Sequence, residues 1–376
     1  MTEAAVFQSA AEALARIDSL GGYENPAAVA PLKGAAAHEV AVGPVHAGVI
    51  EPGHFRFQCM GEDVYNLQIF LSYQHRGVEE AIVDAQGNLA RQIALAETCA
   101  GDTSAAAAIA FAQIMECAFP GRFPAPDGDA LRIRTLLLEL ERIANHTGDL
   151  GALAGDVAFL QTQAFCGRIR GEYLNMTALV CGNRFARNAV VPGGASVALD
   201  GEKAQTLEKW IARVKPELDR ALKLMFGEHS VCDRFDGVGT VTREIAREIG
   251  LVGVARRASE EFNGDVMARA IVRRLEIDEA HAKIAAVLSG KTPEGDAAEG
   301  ETDGGFPYVS ATVPAWRGPL VHAAVFSPQG EMLRYKIVDP SAHNWQGLAW
   351  ALRGEQISNF PICNKSFNLS YCGTDR

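Results

Sequence analysis

The sequence predicts an α+β fold: mainly an α-helical bundle, preceded by a small antiparallel β meander and followed by a β hairpin region. Three observations carry that prediction. The stretch HEVAVGPVHAGVIEPGHFRFQCMGEDVYNLQIFLSYQHRG, from His38 to Gly77, alternates apolar and polar residues between Gly and Pro turns, which is the period of half-buried strands. From Val78 the period becomes helical and stays so through most of residues 78–290. Near the end, VHAAVFSPQGEMLRYKIVDP sets two apolar runs either side of Pro328-Gln329-Gly330, a hairpin signature.

Taken in order, residues 1–36 form an N-terminal extension and linker. MTEAAVFQSAAEALARIDSL carries acids and a helical pattern, and a Gly/Pro-bearing linker runs from Gly21 to Gly34. The meander occupies 37–77. In the bundle, 78–290, the segment ALRIRTLLLELERIANHTGDLGALAGDVAFLQTQAFCGRIRGEYLNMTALV holds long apolar stripes with Arg and Glu between them, as packed helices do. GNRFARNAVVPGG, Gly182 to Gly194, interrupts it as a loop, EKAQTLEKWIARVKPELDRALKLMF resumes the helix, and TREIAREIG reads as a short helix with a Thr start and a Gly stop. Residues 291–307, within SGKTPEGDAAEGETDGGF, are acidic and glycine-rich and predict a flexible loop. Residues 308–376 supply the hairpin, a final short helix in NWQGLAWALRGE and a buried tail, all within one structural domain without internal repeats.

Composition narrows function. A net charge of -11, from 35 basic against 46 acidic residues, argues against a nucleic-acid partner. The eight cysteines contain no C-x-x-C pair, and the N-terminus lacks the basic start and apolar core of a targeting peptide; both predict a cytoplasmic chain with reduced thiols. The apolar run Ala105 to Met115 is too short to span a bilayer, so membrane association is expected through partners.

Several motifs occur in a specific order: GPVHAGVIEPGHFRF, YQHRGVEE, LLLELERIANHTGDLG, the PGG at Pro192 to Gly194, VTREIAREIGLVGVARRAS, and the stretch from Arg317 to Arg376 ending FNLSYCGTDR. Over roughly residues 40–376 the chain resembles nickel-iron hydrogenase large subunits of the membrane-bound, complex I-related group, a family that includes the 49 kDa-type quinone-site subunit of respiratory complex I. The resemblance implies a hydrogenase large-subunit-like fold. In the family's hydrogenases two C-x-x-C pairs hold nickel and iron. Counting from His75-Arg76-Gly77, the first falls on Cys99 and Asp102; counting back from Thr374-Asp375-Arg376, the second falls on Ser370 and Gly373, with Cys372 one residue out of register. Nickel needs several soft ligands, and three of these four thiolates are absent. The expectation is no nickel-iron cluster, no other metal and no hydrogen turnover. The chain ends at Arg376, matching either the complex I branch, which ends near a D-R, or a processed hydrogenase.

With no metal, the cavity is expected to serve a proton path or a quinone. The position of the family's quinone histidine falls nearer Pro52 than His46 or His54, and NLARQIALAETCAGD lacks its tyrosine. Candidate cavity or proton-path residues are His46, His54, Arg76, Glu79, Glu97, Asp102 and Asp375; Cys99, Ser370, Cys372 and Gly373 stand at or beside the lost ligand positions. Each has a plainer reading. His46 and His54 satisfy turn backbone groups, Arg76 and Glu79 make a helix-entry pair, and Glu97 and Asp102 pair with Arg91 or Arg184. Cys99 is a small buried helix residue, Glu139, Glu141 and Arg142 bridge within the bundle, and Asp375 with Arg376 anchors the tail.

The resemblance implies a peripheral large subunit, on the inner face of the cell membrane, of an oxidoreductase-type, NADH:quinone oxidoreductase-like complex with quinone and NAD binding. Its partners would be a small subunit carrying an iron-sulfur cluster and complex I-like membrane subunits, and it would couple electron transfer or conformational change to ion movement. Two alternatives stay open: an enzyme with a remodelled quinone or single-metal site, and a structural assembly subunit.

Overall fold

The computed structural model describes all residues except 28, 48, 295–297, 300–304 and 376. The chain opens with strand β1 (Thr2–Phe7) and helix α1 (Ala10–Asp18). This corrects the reading of the first twenty residues as one amphipathic helix. Ser9 caps α1 by accepting from Glu12 N, so the helix cannot extend back through the extended backbone before it. The meander follows as β2 (Ala37–Val42), β3 (His54–Met60) and β4 (Asp63–Phe70), antiparallel in that order.

The helical part comprises α2 (Val78–Asp84), α3 (Leu89–Glu97), α4 (Ser104–Ala118), α5 (Gly128–Asp156) and α6 (Leu160–Cys181), then a two-residue hairpin of β5 (Val190–Val191) and β6 (Gly194–Ala195) within the expected loop. After it come α7 (Gly201–Phe226), α8 (His229–Phe235), α9 (Arg243–Glu248), α10 (Gly253–Glu261) and α11 (Val266–Leu288). Thr242 caps α9 through Ile245 N, as the sequence signals. Helix α5 is the axis of the bundle, packed along α6 and α11. Alanine-rich α4 is buried almost all round, because its small side chains let it lie between α5 and the C-terminal sheet.

That sheet is β7 (Ala298–Glu299), β8 (Phe306–Ala315), β9 (Gly318–Phe326) and β10 (Met332–Val338), in the order β10-β9-β8-β1-β7. Strand β1 inserts antiparallel to β8, from Thr2 opposite Ala311 to Phe7 opposite Phe306, so the N-terminal extension is part of the C-terminal sheet. Strand β9 is buried on both faces. Helix α1 covers one with Ala13 and Ile17 against Tyr308, Ala323 and Val325, and α4 covers the other, which explains its unbroken apolar run. The 291–307 loop lies partly outside the described residues.

The expected final helix is α12 (Pro340–Ala351), yet two more follow: α13 (Phe360–Phe367) and α14 (Tyr371–Thr374). Buried arginines of α11 clamp α13. Arg269 donates to Ser366 Oγ (2.8 Å) and lies over the Phe367 ring, and Arg273 donates to Phe367 O (3.3 Å). The tail is thus fixed deep in the molecule. Among the described residues no helix is long and apolar enough to cross a membrane.

Candidate functional site

The two stretches that carry the Cys99–Asp102 and Ser370–Gly373 positions converge on one side chain, Arg317. Its place follows from the local chain: it sits in the turn between β8 and β9, against the N-terminus of α10. Gly253, at φ +56°, brings its backbone so near the Arg317 carbonyl that any Cβ there would collide with it, so only glycine serves. The guanidinium donates to both Asp102 oxygens (2.9 and 2.8 Å) and to Asn368 O (2.7 Å), and stacks on Trp316 at 3.9 Å. A bidentate arrangement of this kind is strong and directional. Thr103 Oγ donates to Asp102, while Asn145 and the Trp316 indole donate to the Asp102 carbonyl. Burial pushes the Asp102 carboxyl up, but Arg317 and the Thr103 hydroxyl more than offset that and hold it below its ordinary range.

Beside this pair lies a cavity of about 500 Å³. Helix α5 lines it with Asn145, Asp149 and Asp156, α6 with Gln163 and Arg170, and the α13 region with Lys365 and Asn368. Glu51, Asp102, Arg317 and Tyr371 complete the wall. Asp149 is held by Arg273 (2.9 Å) and by the Asn368 amide (2.6 Å). Burial raises the carboxyls of Glu51 and Asp156. The wall therefore sets Asp102, held ionised by Arg317, beside two carboxyls that take up protons more readily than exposed acids.

The tail turn gives direct information on metal fit. Ser370 Oγ accepts from Gly373 N (3.0 Å) and caps α14, and Ser370 N donates to Ser341 Oγ (2.8 Å). A Cβ on Gly373 would stand 2.6 Å from Asp339 Oδ2 and 2.8 Å from Ser370 Oγ. The space for a side chain at that position is already filled. Cys372 donates its N–H to Glu51 (3.1 Å), its sulfur lies 3.6 Å from Ser370 Oγ, and burial and the Glu51 charge push its thiol up, away from the thiolate a metal needs. Cys99 is buried. Among the described residues no three His, Cys, Asp or Glu side chains converge as ligands. The residues present do not fit a nickel-iron centre.

The other sequence candidates are dispersed. Of them, Asp102 alone lines the cavity. His46 is exposed on its loop. His54 starts β3, with Nδ1 3.2 Å from Gly43 O and its ring on Phe70; it satisfies the turn. Arg76 donates to the carbonyls of Thr98 and Cys99 (2.8 Å each), and Glu79 accepts from Ile337 N (2.8 Å), so both tie α2 to neighbouring backbone. Glu97 is buried and accepts from Asn188 N (2.6 Å) with Arg187 nearby, in place of Arg91 or Arg184; burial raises its carboxyl to about 7. Asp102 finds Arg317 instead of those arginines. Asp375 accepts from Ser72 N and Gln74 N, securing the tail to the end of the meander, while its expected partner Arg376 lies outside the described residues. Arg142 pairs with Glu139 (2.9 Å) and Glu276 (3.5 Å), but Glu141 makes no part of that bridge. It turns to the start of α4, accepting from Ala105 N (2.7 Å).

Sequence reasoning missed Arg317, Glu51 and Asp149, and read Glu141 only as a bundle bridge. Only Arg317 carries a local signal, an arginine beside tryptophan between two apolar strands.

Comparison with known proteins agrees with this architecture. The family described as respiratory-chain NADH dehydrogenase, 49 Kd subunit, matches residues 156–261. Hydrogenase-4 component G of Escherichia coli (strain K12) is 26% identical over 348 residues, covering 90% of this chain and 62% of that protein. A subunit of the NADH-quinone oxidoreductase of Chloroherpeton thalassium is 27% identical over 285 residues, 62% of this chain and 64% of that protein. The chain thus spans a little under two thirds of the length of these relatives. In fold, it matches a chain of the membrane-bound sulfane sulfur reductase, an archaeal respiratory membrane complex, with a TM-score of 0.78 and 20% identity, covering 91% of this chain and 99% of that one.

Proposed function

We propose that this chain, a relative of the 49 kDa subunit of respiratory NADH dehydrogenase and of hydrogenase large subunits, is the peripheral large subunit of a complex I-like, membrane-bound redox complex whose nickel-iron site has become a protein-filled, ionisable chamber. The observation that carries this reading is the Asp102–Arg317 pair. It stands where the first pair's second ligand falls, and Asp339 takes the space that a cysteine at 373 would need. Asp339, Glu51 and Cys372 all lie within electrostatic reach of the same guanidinium. A proton gained or lost in the cavity therefore changes the charge balance on Arg317. Through its bond to Asn368 O, that change reaches the clamped tail. This gives the chamber a route from protonation to conformation.

In the complex, a small subunit would carry the iron-sulfur cluster, and membrane subunits would carry the ion path, on the cytoplasmic face. A polar wall with Asn145, Lys365 and Tyr371 suits a small occupant with hydrogen-bonding oxygens, such as a quinone head group, although His54 is turned to Gly43 and not to the cavity.

The test is elemental analysis of the purified complex and of the separated chain, together with complex turnover. The expected result is no stoichiometric nickel in the chain, and an Asp102→Asn complex that assembles and turns over at least roughly tenfold more slowly. Stoichiometric nickel, or wild-type turnover in Asp102→Asn, would overturn the reading.

A further inference from the structure

A second, much smaller cavity adjoins the first. Asp102 and Asn145 line both. On its far side the small cavity is bounded by Glu141, Leu174, Thr177, Arg184 and Phe185, and Arg184 and Phe185 are exposed. Its volume is about 10 Å³, the space of roughly one water molecule. Polar partners for that water are at hand. Glu141 Oε2 is taken by Ala105 N at 2.7 Å, whereas Oε1 has only a long contact, 3.4 Å, to Ala106 N. Thr177 Oγ donates to Tyr173 O (3.2 Å), which leaves its lone pairs open. Glu141 therefore stands between the main cavity and solvent, with no counter-charge bonded to it.

We propose that Glu141 is a proton-exchanging carboxyl on a route that runs from solvent beside Arg184, through Glu141 and one water held by Thr177, to Asp102 and the main cavity. The inference rests on reading the main cavity as a chamber that takes up protons. In the transfer, the Glu141 O–H bond breaks as the water accepts its proton. The water gives a proton on past Asp102 to the Glu51 carboxylate of the main cavity, whose carboxyl burial raises, and the Glu141 carboxylate is reprotonated from solvent. One proton moves and no electrons do. The charged groups facing Glu141 are Asp102 before α4, Arg142 on its own helix and Arg184 after α6. Burial, aided by the Asp102 charge, outweighs the two α4 amides and Arg142 and raises the carboxyl to about 8, so it is protonated at neutral pH and able to give a proton up.

The test is infrared spectroscopy of the full-length protein with ¹³C-labelled glutamate, titrated with pH and followed after transfer to D₂O. The expected result is a glutamic acid band that disappears around pH 8 and is missing in Glu141→Gln, which keeps an oxygen for Ala105 N. Glu97 supplies a separate band, nearer pH 7. In Thr177→Val, hydrogen–deuterium exchange of the Glu141 band is expected to slow roughly tenfold, the loss of one hydrogen bond. Absence of a band removed by Glu141→Gln overturns the carboxyl's role, and unchanged exchange in Thr177→Val overturns the route. Neither readout depends on nickel content or turnover, so failure here is distinct from failure of the proposed function.

Discussion

The junction between α3 and α4, which carries Cys99 and Asp102, and the tail turn, which carries Ser370 and Gly373, face each other across Arg317 and are packed by different physics. At the junction the solution is electrostatic: a carboxylate is held ionised by a bidentate guanidinium and by donors from Thr103. In the tail it is steric and local, with a serine cap on a four-residue helix and a glycine pressed against Asp339. The electrostatic side can respond to protonation, because its parts carry charge. The steric side adds a packed backbone wall, and the Asp339 carboxyl it presses on, raised by burial, lies within electrostatic reach of the same guanidinium.

The largest expected effect breaks the electrostatic side. Asp102→Asn leaves a buried guanidinium without its counter-charge, and a loss of about 3 kcal/mol in unfolding free energy at pH 7 is expected from urea titration. The double variant Asp102→Asn/Arg317→Met is expected to recover most of it. A double variant no more stable than Asp102→Asn alone would mean that the pair is not the unit that fills the site. Next comes the steric wall. Gly373→Ala places a Cβ 2.6 Å from Asp339 and is expected to cost about 2 kcal/mol, read in the same titration.

Acidity sharpens the contrast further. Glu141 has a folded pKa raised to about 8, against an unfolded value of about 4.3. The folded state then binds the extra proton between these values, so stability falls as pH rises from about 5 to 8 and levels off above. Asp102 is depressed, and its contribution is lost only as pH falls through its folded value. The expected outcome is that the wild type loses at least about 1 kcal/mol more than Glu141→Gln between pH 5 and 8, measured by chemical denaturation at each pH. Parallel curves for the two proteins would sink the assignment.

The sequence made the meander, the bundle, the β9–β10 hairpin and the cap at Thr242 legible, because each is written in a local period or a turn residue. Strand β1 was not legible: Thr2–Phe7 has no turn signal of its own, and its partner β8 lies some three hundred residues away in sequence. Within the site, the register count singled out Asp102, Ser370, Cys372 and Gly373, which do converge on one region. It offered no means of finding Arg317 as their meeting point, nor Glu141, whose contact with α4 spans 36 residues. The histidines drew notice by residue type and by their place in the loop matching the family's quinone histidine, and the structure gives His54 to a turn carbonyl.

Ser370→Ala is the smallest change expected to matter, and it asks whether the tail wall depends on its cap or only on its packing. The hydroxyl caps Gly373 N, while Ser370 N stays bound to Ser341 and Thr374 Oγ to Ser370 O. Removing a cap typically costs about 1 kcal/mol. Here the loss also frees the Gly373 N–H in a buried turn, beside an Asp339 carboxylate able to accept from it after a small shift. A loss near 1 kcal/mol in urea titration, with an unchanged midpoint shift for Asp102→Asn in the same background, means the two sides of Arg317 are energetically independent. A loss well beyond that, accompanied by a smaller additional effect of Asp102→Asn, would show that the cap also holds Asp339 and Arg317 in place, and that wall and switch are one unit.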